Sequence, residues 1–204
     1  MIPDRIISPF GAYVITSGGN HIKITSEACK GGARIIQYRD KKSERHEMLR
    51  VAEEIRAITK EYDVLFIVND FIDIALLSEA DGVHLGQDDI PPLRAREITP
   101  DNFIIGISTH SLLQAVEAEN RGADYIGIGP VFSTPTKKTY KPIGLSTVKE
   151  VLIRVNIPVV AIGGLNLGNI GELVEIGIKN VAMVREFQQN TAEKVKKANF
   201  LLKV

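Results

Sequence analysis

The chain has 204 residues, 44% hydrophobic and 25% charged, which is the balance of one compact soluble domain. Its 25 basic and 25 acidic residues cancel, so it lacks the basic excess with which nucleic-acid binders displace counterions, and any anionic ligand must be met by a local cluster of cations. The single cysteine, Cys29, excludes an internal disulfide, the first residues lack a signal-like apolar stretch, and no apolar run approaches the ~20 residues that cross a bilayer. The expectation is a cytoplasmic protein with small-molecule partners, neither nucleic acid nor membrane.

Two kinds of segment then alternate. The β-branched runs Ala12–Ile15, Arg34–Tyr38, Leu65–Val68, Gly82–Leu85, Phe103–Ile107, Asp124–Ile128, Pro158–Ile162 and Asn180–Val184 recur at fairly even intervals. Most are near-continuously apolar, the pattern of parallel strands covered on both faces. Between them lie stretches with helical spacing: Met48, Leu49, Val51, Ala52 and Ile55 form one apolar stripe, and Leu112, Leu113 and Val116 another. Three helix ends are near-copies, Lys30-Gly31-Gly32-Ala33, Asn120-Arg121-Gly122-Ala123 and Glu175-Ile176-Gly177-Ile178, each with a glycine suited to the left-handed residue after a helix. Eight strands alternating with helices predict an α/β fold, a single-domain (β/α)8 TIM barrel over 1–204. An open doubly wound sheet is the rival, but Thr16-Ser17-Gly18-Gly19 stands where its G-x-G-x-x-G fingerprint would follow the first strand.

In such a barrel the chemistry lies beyond the C-terminal ends of the strands. After the second strand, alternation places Gln37, Arg39 and Lys41 on one side, toward the barrel axis, where two cations call for an anion; a solvated basic loop is the plainer account. The third strand ends in Asn69-Asp70 and the fourth runs into Gly86-Gln87-Asp88-Asp89. Carboxylates on one rim could act as acid and base or hold a hard cation, and beside Arg39 and Lys41 a magnesium shared with a substrate phosphate is the more economical account. Alternatively Asp70 caps the next helix. At the fifth strand end, Ser108 or Thr109 either contacts ligand or caps a helix opening near Ser111, and His110 is a proton shuttle or a packed ring. His84 lies inside a strand and reads as a satisfied core histidine. The long connection 129–142, with Thr134, Thr136, Lys137 and Lys138, could close over a phosphorylated substrate. Gly163-Gly164 permits close backbone approach at the recurrent phosphate site of this fold. The charged faces 44–47 and 193–197 read as solvated surface and imply no partner chain.

Taken in order, these segments resemble the thiamine phosphate synthase family, also called thiamine-phosphate pyrophosphorylase, along nearly the whole chain. The resemblance runs through Gln37-Tyr38-Arg39-Asp40-Lys41, Val68-Asn69-Asp70, 80–89, Gly106-Ile107-Ser108-Thr109-His110, 122–132, Thr134-Pro135-Thr136-Lys137 and Ile162-Gly163-Gly164. It implies that a hydroxymethylpyrimidine diphosphate is joined to a thiazole phosphate, releasing diphosphate and forming thiamine phosphate. By the same resemblance the pyrimidine diphosphate meets Gln37, Arg39, Lys41, Asn69, Ser108 and Lys137, and Mg²⁺ meets Asp70 and Asp89. Arg39, Lys41 and Lys137 would stabilise the leaving group. The thiazole phosphate would meet Thr134, Thr136, Gly164 and the turn after the eighth strand, Val184-Arg185.

That turn departs from the family, whose members commonly carry a serine where this chain has Arg185. Arg185 would grip the phosphate through a forked contact, or point to solvent and offer its backbone amide, or alter the acceptor; the first two are favoured together. Two rival functions are a thiazole tautomerase, with His110 moving the proton, and a catalytically silent sensor of thiamine precursors.

Overall fold

Residues 9–134 and 141–204 are described in the computed structural model. Eight strands form where the apolar runs lie: β1 (Gly11–Thr16), β2 (Ile35–Tyr38), β3 (Leu65–Asn69), β4 (Gly82–Leu85), β5 (Ile104–Thr109), β6 (Tyr125–Ile128), β7 (Val159–Ile162) and β8 (Asn180–Met183). Their ends fall within two residues of those expected. The intervening helices are α1 (His21–Lys30), α2 (Arg45–Glu61), α3 (Ile72–Leu77), α4 (Pro92–Glu97), α5 (Leu112–Asn120), α6 (Gly144–Arg154), α7 (Ile170–Glu175) and α8 (Thr191–Leu202). Each strand pairs in parallel with the next and β8 returns to β1, closing the barrel. None of the described helices is long and apolar enough to cross a membrane.

Closure explains why the strands lack polar alternation. One set of side chains, including Tyr13, Ile15, Ile35, Ile67, Ile104, Tyr125 and Val160, fills the barrel interior. The alternate set, including Val14, Ile36, Phe66, Val83, Ile105 and Ile126, packs against the helices. Both faces are dry, so both must be apolar. The stripe read in 48–55 is the buried face of α2, with Met48, Val51, Ala52 and Ile55 inward. In α5 the buried residues are Ala115 and Ala118 instead, while Leu113 is 75% exposed. There the small side chains set the contact, Leu112 and Val116 flank it, and Leu113 stands outside it.

The N-terminal ends of alternate strands are pinned by buried polar groups. Asp81 Oδ2 accepts from the Phe66 N–H at 2.8 Å and from Arg56 at 2.9 Å. Asp124 Oδ2 repeats the device with Ile105 N–H and Arg96, both at 2.7 Å. Asn180 Oδ1 accepts from Phe10 N–H at 2.8 Å, across the seam where β8 meets β1. Each replaces a solvated backbone group with a fixed partner at a strand start, which sets register where side chains alone would not.

Six helix ends share one geometry. The N–H groups of Ala33, Val64, Ala80, Ala123, Ile178 and Val204 each bond the carbonyl five residues back, after a residue with positive φ. Gly32, Gly122 and Gly177 fill that position as expected, but Asp63, Glu79 and Lys203 fill the others. A left-handed residue with a Cβ is strained by about 1–2 kcal/mol relative to glycine. Glu79→Gly is therefore expected to stabilise the protein by roughly 1 kcal/mol, a rise of about 2–4 °C in Tm by thermal unfolding. An unchanged or lower Tm would show that the strain is relieved elsewhere.

Candidate active site

Because strand residues alternate, the positions in phase with the interior side chains continue inward past the strand ends. Ile35 is followed two residues on by Gln37 and then Arg39, Ile67 by Asn69, Gly82 by His84, and Ile104 by Gly106 and Ser108. Gln37, Arg39, Asn69, His84 and Ser108 all line one cavity of about 290 Å³ at the C-terminal mouth. Thr134, Gly164, Val184 and Arg185 line it from the β6–β8 side. Apolar layers thus give way to polar ones at a single level of the barrel.

The β2 and β3 ends carry the charge. Arg39 is half-buried and makes no hydrogen bond or ion pair with any described residue. Lys41, expected on the same inward row, stands farther out; its ammonium lies 3.1 Å from Asp70 Oδ2. Asn69 is 8% exposed, and its Nδ2 has no partner among the described residues. Burying an amide donor unpaired is costly, and this nitrogen, on a residue that lines the cavity, is available to an acceptor there.

Asp70 does not cap α3. That helix starts at Ile72 with Phe71 at the N-cap, while Asp70 takes a φ of 65° and its N–H donates to the His84 carbonyl at 2.9 Å. A non-glycine residue held there is strained, as happens where function fixes the backbone. Burial pushes the Asp70 carboxyl upward; the Lys41 ammonium opposes this, the Asp89 carboxylate adds to it, and the net direction is up. Asp89 is oriented by the Gly86 N–H, which donates to its Oδ2 at 2.6 Å.

At β5 the hydroxyls separate by role. Ser111 caps α5 by accepting from the Gln114 N–H, and Thr109 donates to the Gly127 carbonyl at 3.0 Å. Ser108 is freed from capping and faces the cavity, with its Oγ 2.9 Å from His84 Nε2. His110 lines the cavity too, and its Nδ1 donates to the Gly129 carbonyl. The glycines after β7 answer a packing need first. A Cβ on Gly164, where φ is 71°, would come within 2.7 Å of Phe132 Cβ and of the Ser133 carbonyl oxygen. The connection after β6 thus lies directly against Gly164, which brings Thr134 to the cavity wall.

A family model of thiamine monophosphate synthase matches residues 12–187. The chain belongs to the thiamine monophosphate synthase family. It is 49% identical over 174 residues to the thiamine-phosphate synthase of Pyrococcus horikoshii, covering 84% of each chain. It is 46% identical over 180 residues to that of Methanospirillum hungatei, covering 85% of this chain and 87% of the relative. The solved thiamine phosphate pyrophosphorylase from Pyrococcus furiosus superposes with a TM-score of 0.89 at 38% identity, over 95% of this chain and 96% of that one.

Of the residues picked out in the sequence, Gln37, Arg39, Asn69, Ser108, Thr134, Gly164, Val184 and Arg185 meet around the cavity, with Lys41, Asp70 and Asp89 clustered beside it. Thr136 and Lys137 lie outside the described residues. Arg185 is exposed at the cavity rim, and its side chain has no partner among the described residues. Two groups were missed. Lys194, placed in a solvated face of α8, instead lines the cavity with Nζ 2.9 Å from the Glu186 carbonyl and 3.3 Å from its carboxylate. Tyr13 and Tyr125 lie in the interior just below, bonded to Gln37 and His84. Period-two counting along β1 (Ile15, Tyr13) and β6 (Gly127, Tyr125) was the available signal for the tyrosines; for Lys194, which comes from a distant helix, there was none.

The loop carrying Arg39 and Lys41 is anchored by buried His21. Its Nδ1 meets Thr16 Oγ1 at 2.8 Å, its Nε2 lies 3.6 Å from Asp40 Oδ2, and its ring stands edge-on to Tyr38. Burial lowers its pKa, with Asp40 opposing. A histidine held neutral in the fold contributes stability above its unfolded value of about 6.5, and that contribution is lost as pH falls. Between pH 7 and 5 the wild type should lose more thermal stability than His21→Gln; equal losses would contradict the assigned state of His21.

Proposed function

We propose that the cavity joins 4-amino-2-methyl-5-hydroxymethylpyrimidine diphosphate to 4-methyl-5-(2-phosphoethyl)thiazole, giving thiamine phosphate and diphosphate, with Mg²⁺ as cofactor. Family membership makes the chain a synthase of this class, a transferase of the pyrimidinylmethyl group. The observation that carries the residue assignments is the division of the cavity wall. Arg39 and the Asn69 Nδ2, both without partners among the described residues, stand with the Lys41/Asp70/Asp89 cluster on the β2–β4 side, and Thr134, Gly164 and Arg185 on the β6–β8 side. The first suits a diphosphate on a polar ring, the second a monophosphate.

The carboxylates fit a hard cation. The Asp89 carboxylate adds to the cost of ionising Asp70, which a divalent ion would relieve. The described residues offer no cluster of three or more His, Cys, Asp or Glu that could cage an ion alone. That suits Mg²⁺, which keeps several waters and is bound through one or two carboxylates plus substrate phosphate. Bound there, it would supply neutralisation of the charge growing on the departing diphosphate.

The chain's own groups do the rest. Arg39 offers a fork of donors to phosphate oxygens, and Lys41 adds a second cation, with Lys137 assigned to the same task. As the carbon–oxygen bond to diphosphate breaks, the electron-rich aminopyrimidine carries the positive charge left on the methylene. The thiazole nitrogen then attacks and has no proton to lose, so the reaction needs no general base. His110, held by Nδ1 to a backbone carbonyl, accordingly has an orienting task and not the shuttle's. Arg185 would reach the thiazole phosphate from the rim.

With both substrates and Mg²⁺, purified protein is expected to release diphosphate in step with thiamine phosphate formation. EDTA should abolish this, and Asp89→Ala or Arg39→Ala should each cut kcat/KM by about 10²–10³. Folded protein that binds both substrates without turnover would overturn the reading in favour of a sensor, and thiazole isomerisation without diphosphate release would overturn it in favour of a tautomerase.

A further inference from the structure

Beneath the cavity runs an unbroken chain of hydrogen bonds through the barrel interior. Gln37 Nε2 donates to Tyr13 Oη at 2.8 Å; Tyr13 Oη and Tyr125 Oη are 2.7 Å apart; Tyr125 Oη is 2.9 Å from His84 Nδ1; His84 Nε2 is 2.9 Å from Ser108 Oγ. The chain crosses β2, β1, β6, β4 and β5, and both phenols are fully buried. Gly106 makes room for it, since a Cβ there would lie 2.1 Å from the Tyr125 ring. Two phenylalanines would fill nearly the same space with no hydroxyl to satisfy, so the hydroxyls call for a reason beyond packing.

We propose that Tyr13 and Tyr125 are positioning residues that fix His84 as its Nε2–H tautomer, so that Ser108 presents a hydrogen-bond donor to the aminopyrimidine ring of the first substrate. The direction follows from counting protons. The Gln37 amide nitrogen can only donate, so Tyr13 Oη accepts from it and must send its single proton to Tyr125. Tyr125, now an acceptor, sends its proton to His84 Nδ1. The neutral ring then carries its proton on Nε2 and donates it to Ser108 Oγ, and the Ser108 proton is directed into the cavity. The opposite order would leave the Tyr13 O–H buried with no acceptor, at the full cost of its desolvation. Burial also holds both phenols well above their ordinary pKa, so neither becomes a phenolate acceptor that would break the sequence.

The same accounting assigns the other end. Gln37 gives its nitrogen to Tyr13 and keeps its carbonyl oxygen for the cavity it lines. One floor therefore offers an acceptor from Gln37 and a donor from Ser108. The edge of a 4-aminopyrimidine is the complement, with an exocyclic amine that donates beside a ring nitrogen that accepts. This substrate assignment rests on the function proposed above, whereas the tautomer does not.

The tautomer is tested on ligand-free protein labelled with ¹⁵N-histidine, using side-chain ¹H–¹⁵N correlation spectra with His84→Gln to identify the His84 signals. A protonated Nε2 and a bare Nδ1 are expected, with Tyr125→Phe and Tyr13→Phe moving the ring toward a mixture. A proton on Nδ1 in the wild type would overturn the proposal, whatever reaction the protein performs. The positioning role is tested by steady-state kinetics. Tyr125→Phe and Ser108→Ala should each raise KM for the pyrimidine diphosphate roughly tenfold, about one lost hydrogen bond, and leave KM for the thiazole phosphate unchanged. The double variant should be no worse than Ser108→Ala alone, because the tyrosine acts only through the serine. Additive losses, or an equal rise in both KM values, would show a merely structural role and overturn it.

Discussion

Closure of eight parallel strands forces every second side chain onto a common axis, and the chemistry of this protein follows from where that row changes from apolar to polar. Within the strands the row is Ile35, Ile67, Ile104 and Val160, a dry interior that holds the barrel together. One or two positions later it becomes Gln37 and Arg39, Asn69, and Ser108. No loop has to search for the site, because the strand ends already converge on it. The pins at the other end, Asp81, Asp124 and Asn180, hold the register on which this convergence depends. A slip of one residue would turn the polar row toward the helices.

The site also sets stability against function. Asp70 sits in a strained conformation, with burial and Asp89 both disfavouring its charge. Among the described residues, the half-buried Arg39 side chain has no partner, and neither does the buried Asn69 Nδ2. Each would be an error in a barrel selected for stability alone. The proposed function would offset all three, with a diphosphate over Arg39 and Asn69 and a divalent cation between the carboxylates.

Much of this was legible in the sequence because both the strand period and the helix period leave marks that survive without tertiary knowledge. The eight runs, the glycines at 32, 122 and 177, and the polar ends at Gln37, Asn69 and Ser108 all follow from local pattern. What was not legible depends on distance through space. Lys194 belongs to α8 and reaches the cavity only because that helix packs over the last turn. The charged face in which it lies looks the same in sequence as any solvated one. His84 was read as a satisfied core histidine, and it is buried and bonded; what escaped is that its partners, Tyr125 and Ser108, come from β6 and β5 and tie the core to the cavity floor. The glycines at 163 and 164 were read for a ligand, yet the space beside them is taken by Pro130, Phe132 and Ser133. Spacing shows that a Cβ is unwelcome and leaves open what excludes it.

The central claim is that the carboxylate pair and the strand-end cations act as one electrostatic site, joined by a divalent ion. Calorimetric titration of inorganic diphosphate into the ligand-free protein, with Mg²⁺ and with EDTA, tests it most directly. The account predicts that Mg²⁺ tightens diphosphate binding at least tenfold, about 1.4 kcal/mol of coupling, and that Asp70→Asn/Asp89→Asn abolishes the difference. Equal affinity under both conditions, or coupling that survives loss of both carboxylates, would contradict it.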